Sequence, residues 1–262
     1  MIPTVVGVGV HGGRNSRVRL HRDRGPIRFL RAGIAIPARV AQVVATDRCT
    51  VLGRDGARVA VVEHVLAACH ALGVWSDLVV EVDGDELPIL DGSAAPWAEA
   101  LTAWGPPPPP PTPWAATGHI RWRDGATEVS WDAGASALEV SIEFDHAAIG
   151  AQRWVGGPNA FADLLPARTF ATADELAALQ GRGLAAGARP GSGILFGDDG
   201  PSEPLRSPDE PVRHKALDAL GDLALLGRPL AGRLRVHRGS HRTHVGFMRH
   251  LLATTTAQED LT

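Results

Sequence analysis

The segment VRHKALDALGDL at 212–223 concentrates groups that could do chemistry: an imidazole at His214, an ammonium at Lys215, and carboxylates at Asp218 and Asp222. At about 100° per residue, His214 and Asp218 lie within about 40° of one another on one arc of a helix. Lys215 and Asp222, seven residues apart, nearly superpose beside them. Ala216, Leu217, Leu220 and Leu223 share a different arc, the one expected to face a core. Taken alone, such a charged strip is most often solvated surface. Lys215 marks this one out, because the chain writes its other 25 cations as arginine. A guanidinium is a planar fork that keeps its proton and an ammonium is a compact point charge, so a site built for one does not accept the other.

A second acid and imidazole, Glu63 and His64, stand where the strand-like run ARVAVV gives way to the helix-like VEHVLAACHAL. His64, His214 and Asp218 together offer two imidazoles and a carboxylate, a donor set suited to a catalytic zinc with one position left for water. Hydrolysis at such a centre needs a carboxylate that takes the proton of the attacking water, and Glu63, next to a ligand without being one, is placed for that. The ligands come from widely separated segments, so spacing alone leaves open whether they meet.

Two sets of elements must position these groups. Pro106 to Pro113, interrupted only by Thr112, form a stiff run that cannot lie in a helix or central strand. Before it come the strand-like TVVGVGV, RVRL, ARVAVV and SDLVVEV, with helices around VEHVLAACHAL and PWAEALTAW. After it come HIRWR, TEVSW, LEVSIEF and GILFG as strands, then ADELAALQGRG and VRHKALDALGDLALLG as helices. Strands mostly precede helices in both halves, which favours α+β over a doubly wound sheet and hints at a structural duplication. The expected division is 1–105, a proline-rich linker at 106–113, a second α+β domain at 114–255, and a frayed tail at 256–262.

The composition is globular, with 44% hydrophobic and 21% charged residues and a net charge of −3. Residues 1–60, however, carry 11 Arg against Asp23, Asp47 and Asp55, a local net of +8. That asymmetry fits either a solvated face coloured by codon bias or an anionic partner, for which the phosphate of a nucleotide-sugar, anionic lipid headgroups and nucleic acid would all serve. No nucleic-acid motif accompanies it, so no nucleic-acid partner is expected. Cys49 and Cys69 form no CxxC and read as small apolar residues. MIPTVVGVGV has no basic flank and no stretch approaches about 20 apolar residues, which makes the cytoplasm the expected address.

The chain resembles the zinc-dependent UDP-3-O-acyl-N-acetylglucosamine deacetylases, which carry out the committed step of lipid A synthesis in Gram-negative bacteria. The matching strings are GVGVHGG (7–13), VEHVLAACHALG (62–73), PILDGSAAPW (88–97), FDHAAI (144–149), ARTF (167–170) and VRHKALDALGDL (212–223). The resemblance implies one Zn2+ per chain on His64, His214 and Asp218, with Glu63 as general base. It implies that Thr169 donates to the developing oxyanion and that His241, in RGSH, is a protonated imidazole that protonates the leaving amine. Asp222 would orient His241, Lys215 would set a positive charge near the substrate, and Phe170 would lie against the sugar. The implied fold is two similar domains, each a β-sheet layered against α-helices, with the active site between them. The implied reaction removes an N-acetyl group from a UDP-linked acylated glucosamine, releasing acetate and a free 2-amine. The partner is then a small molecule, with at most peripheral contact with the inner membrane, and the protein is expected to be a monomer.

Four departures touch substrate handling. Val61 stands where the family usually has Ser or Thr; the region of the acyl-passage insert reads GARPGSGILF; Arg242, Thr243 and His244 replace Ala-Leu-Asn; and the stretch after GVGVHGG is short. They leave two alternatives: a paralogue acting on a different N-acyl sugar, or an idle zinc-containing protein that binds a lipid or nucleotide-sugar. Of the remaining histidines, His11 lies in a motif match and could support the site, and His146 has a family counterpart but is assigned no chemistry. His21, His70, His119, His237, His244 and His250 are expected at the surface or as satisfied core residues.

Overall fold

The computed structural model describes residues 2–115 and 118–259. The first half contributes β1 (Thr4–Val8), β2 (Asn15–Pro26), β3 (Arg28–Arg31), β4 (Ile34–Pro37), β5 (Val43–Ala45), β6 (Val51–Arg54), β7 (Ala57–Ala60), α1 (Glu63–Ala71), β8 (Ser76–Val82) and α2 (Ala95–Trp104). The second contributes β9 (His119–Asp124), β10 (Thr127–Asp132), β11 (Ala137–Glu143), β12 (Ala151–Gly156), β13 (Phe170–Thr172), α3 (Ala173–Gly181), β14 (Ile194–Gly197), β15 (Gly200–Pro201), α4 (Glu210–Leu223), β16 (Arg233–His237) and α5 (His241–Glu259). The proline run at 106–113 has no regular secondary structure and lies between α2 and β9.

The two five-stranded sheets are built alike. Their orders are β1-β2-β8-β3-β4 and β9-β10-β16-β11-β12. In each, the last strand of the unit inserts between the second and third, runs parallel to the third, and every other pairing is antiparallel. Each unit also carries a three-stranded insert ahead of its central helix, β5-β6-β7 before α1 and β13-β14-β15, which encloses α3, before α4. This shared topology is the duplication that the similar order of elements hinted at, and the fold is α+β with sheets layered on helices.

Alternation builds the layers. In β2, Ser16, Val18 and Leu20 point inward while Arg17 and Arg19 face solvent, and in β11 Leu138, Val140 and Ile142 do the same. Two elements not anticipated in the sequence follow similar rules. The short β16 buries Leu234 and Val236 between outward arginines, and α5 buries Val245, Phe247, Met248 and Leu251 at helical spacing. The helix α5 runs to Glu259, and residues 260–262 lie outside the described ones.

The helices α1 and α4 pack against each other at the centre, with α2 against α1 and α5 against α4. Both central helices are therefore covered nearly all round, and α4 buries His214, Asp218 and Asp222 together with its leucines. Their crossing is close enough that a Cβ on Gly221 would come within 2.1 Å of the Glu63 carbonyl oxygen. Only glycine fits there. The tryptophans serve packing: Trp97 and Trp131 are among the largest fully buried side chains.

Candidate active site

Glu63 and His64 open α1, which Val62 caps and Val61, at φ +60°, leads into. A buried β-branched residue in that region is a local strain of about 1–3 kcal/mol, held by the packing around it. The turn projects both side chains toward α4, where His214 and Asp218 lie one turn apart.

The ligand atoms of His64, His214 and Asp218 all lie within 4.8 Å of one another, and all three residues are buried. His214 Nε2 is 3.3 Å and His64 Nε2 is 4.0 Å from Asp218 Oδ1. Ligands around a tetrahedral zinc sit roughly 3.4 Å apart, given bonds of about 2.0–2.2 Å. His214 donates its Nδ1–H to the Ala167 carbonyl at 3.1 Å, which leaves the Nε2 lone pair free toward the cluster. His64 has no hydrogen bond to a described residue, and its Nδ1 is a buried orphan. Burial, aided by His214, pushes the His64 pKa down to about 3, and burial also lowers that of His214. Burial alone would raise Asp218, but His214 and Lys215 outweigh it and hold the carboxyl well below the usual range. Two neutral imidazoles and a carboxylate form the deprotonated donor set that a metal cation requires.

A second cluster adjoins the first. Glu63 Oε2 accepts from the Thr50 backbone N–H at 3.0 Å, and Glu63 Oε1 lies 3.8 Å from His241 Nε2. Burial raises Glu63 to about 7, with Asp222 and Asp218 adding to the rise and His241 opposing it. For His241, burial would lower the pKa, but Asp222 and then Glu63 outweigh it and hold the ring up to about 10. Asp222 is fully buried. Its Oδ2 accepts from Nδ1 of both His241 and His244 at 2.8 Å each, and its Oδ1 accepts from the Thr50 hydroxyl at 2.6 Å. Thr50, a fully buried bridge between Glu63 and Asp222, was not singled out in the sequence, where a lone threonine gives no signal.

The ARTF segment forms the opposite wall. Arg168 is buried and bonds to Glu210 at the start of α4 through Nε at 2.8 Å, and its backbone N–H donates to the same carboxylate at 3.0 Å. Thr169 is tied by its N–H to the Gly92 carbonyl at 2.7 Å, inside the DGSAAP turn that the first half supplies. That turn is itself braced by Asp91, which accepts from Ser93 and from Arg206. Phe170 packs its ring against Phe144 and Phe196 and lies 6.4 Å from the His214 ring.

Lys215 differs from its helical-wheel placement. Its Nζ bonds to Asp218 Oδ2 at 3.0 Å and stands 5.4 Å from the Phe170 ring centre, whereas Asp222 is paired elsewhere. Seven residues of helix separate their backbones by about 10 Å, so superposition in projection is not contact.

Glu63, His64, Thr169, Phe170, His214, Lys215, Asp218 and His241 all line one cavity of about 830 Å³ between the halves. Asp222 lies behind His241 and supports it. Leu176, Leu179, Ile194 and Leu195 give the same cavity an apolar side. His11 lines it too, with its backbone N–H donating to Glu86 at 2.7 Å. His146 packs near Phe196.

The chain matches the family model described as UDP-3-O-acyl N-acetylglycosamine deacetylase over residues 3–253. Relatives from Brucella ovis and Brucella melitensis biotype 2, each named UDP-3-O-acyl-N-acetylglucosamine deacetylase, are 39% identical to it, with 98% of this chain and 94% of the relative covered. The string matches, the paired sheets and the shared cavity agree with that finding: the chain belongs to the UDP-3-O-acyl N-acetylglycosamine deacetylase family.

Proposed function

We propose that the protein hydrolyses the N-acetyl group of a UDP-3-O-acyl-N-acetylglucosamine, releasing acetate and a free 2-amine, with one zinc held by His64, His214 and Asp218. The reading places it at the committed step of lipid A synthesis, in the cytoplasm of a Gram-negative cell, with at most peripheral contact between a lipid-bearing substrate's enzyme and the inner membrane. The observation that carries it is the acid–base pair Glu63 and His241, 3.8 Å apart, beside a buried two-imidazole, one-carboxylate cluster on the wall of one cavity.

When bound, zinc supplies a Lewis acid that polarises the scissile carbonyl and makes water a better nucleophile. Glu63, raised toward neutrality by burial, takes one proton from the water as its oxygen bonds to the acetyl carbon. The Thr169 hydroxyl donates to the carbonyl oxygen as that atom gains charge. His241, kept protonated by Asp222, delivers a proton to the sugar nitrogen as the carbon–nitrogen bond breaks. Lys215 adds a fixed positive charge at this wall, and Phe170 offers a flat apolar surface for the sugar ring. The apolar side of the cavity suits the 3-O-acyl chain.

Metal content measured together with acetate release from UDP-3-O-acyl-N-acetylglucosamine, over several chain lengths, tests the reading. Loss of turnover on chelation and its return with zinc are expected. One equivalent of zinc without acetate release at any chain length would sink it.

A further inference from the structure

His244 is one of the residues by which this chain departs from the family pattern, and it is buried against Asp222 and the His241 ring. A carboxylate can only accept hydrogen bonds, so both imidazoles facing Asp222 Oδ2 present Nδ1–H to the same oxygen, His241 at 2.8 Å and His244 at 2.8 Å. The other side of the His244 ring closes on the loop that leads into His241: a Cβ on Gly239 would fall 2.6 Å from His244 Nε2. The ring thus fills the space between Asp222 and the RGSH loop, anchored at Nδ1 and closely approached at Nε2.

We propose that His244 is a positioning residue for the proton donor, fixing Asp222 Oδ2 through its Nδ1–H and drawing part of that oxygen's hydrogen-bonding capacity away from His241. This rests on the reading of His241 as the acid. Two donors on one oxygen divide its basicity, so His241 is held less tightly and gives up its proton more readily than it would to an Asp222 it had alone. Asp222 from α4, Glu63 from α1 and His244 on its own helix stand against His241, while Asp218, His64, His214 and the His11 ring act on it electrostatically. Of these, His244 alone acts through the oxygen that His241 itself uses.

The full chain bearing His244→Phe, which keeps a ring and loses the donor, is compared with His244→Asn, whose side-chain amide can present N–H near the position of Nδ1. Histidine NMR titration reads His241 directly, without turnover, while kcat, KM and zinc content are measured in parallel. The expected result is an upward shift of the His241 midpoint in His244→Phe, with kcat reduced about tenfold, KM and zinc content unchanged, and both effects largely reversed in His244→Asn. An unmoved His241 midpoint in His244→Phe overturns the proposal, as does an effect confined to KM or zinc. If His244→Phe does not fold, His244→Asn against His244→Ala makes the same comparison. Failure of the underlying reading shows up separately, as full turnover in His241→Ala.

Discussion

At the residue scale both members of the proposed acid–base pair have raised pKa values, Glu63 through burial and His241 through Asp222 and Glu63. As the proposed base, Glu63, raised to about 7 by burial, must be ionised to accept a proton; as the proposed acid, His241, held at about 10, must be protonated to give one. Turnover should therefore rise with pH through the Glu63 pKa and fall through that of His241. A bound cation beside Glu63 favours its charged form, which sets the rising limb at or below about 7. A kcat profile with both limbs on one side of neutrality would contradict the assignment. Lys215 bonds to Asp218, so Lys215→Arg should keep the charge and the fold yet lower kcat roughly tenfold, because a planar fork does not fit a site shaped around one ammonium. The residues proposed as metal ligands and base stand in VEHVLAACHALG and RHKALDALGDL, and the proposed acid in RGSH, so all of them were legible as candidates in the sequence. Thr50 and His244 were not, because their importance lies in contacts made across 172 and 22 residues to a single carboxylate.

At the scale of elements, the α1–α4 crossing carries the geometry. The apolar arc of Leu217, Leu220 and Leu223 was readable from spacing. The burial of the opposite, charged arc was not, since it depends on α1 and α5 covering a face that periodicity alone would leave in water. Gly221→Ala should force the helices apart at the Glu63 carbonyl, destabilising the protein by about 1–3 kcal/mol and misplacing the base. Chemical denaturation with parallel kinetics measures both, and unchanged stability would mean the crossing is looser than described. The Arg168–Glu210 pair ties the ARTF wall to α4 in a buried setting. Breaking it by Glu210→Ala should cost about 1–3 kcal/mol, because the buried guanidinium loses one carboxylate and keeps Glu203 and the Pro204 carbonyl.

At the scale of the whole molecule, two copies of one topology bring α1 and α4 together, and the cavity lies where the halves meet. The order of strands and helices along the chain hinted at the repeat. Strand order could not be read, because the insertion of the fifth strand between the second and third is a long-range pairing that leaves no local mark. The proposed zinc takes His64 from one half and His214 and Asp218 from the other, so binding should staple the halves. Calorimetry should show a higher unfolding temperature with zinc than after chelation, by the linkage expected of a ligand that binds only the folded state. Identical temperatures would argue that the cluster holds no metal. The central claim is that Glu63 is the base at a zinc centre it does not itself hold, and zinc content with acetate release in Glu63→Gln tests it most directly. One zinc per chain with turnover lowered about 10²–10⁴-fold is the predicted result; turnover near that of the unaltered protein, or loss of the zinc, would contradict it.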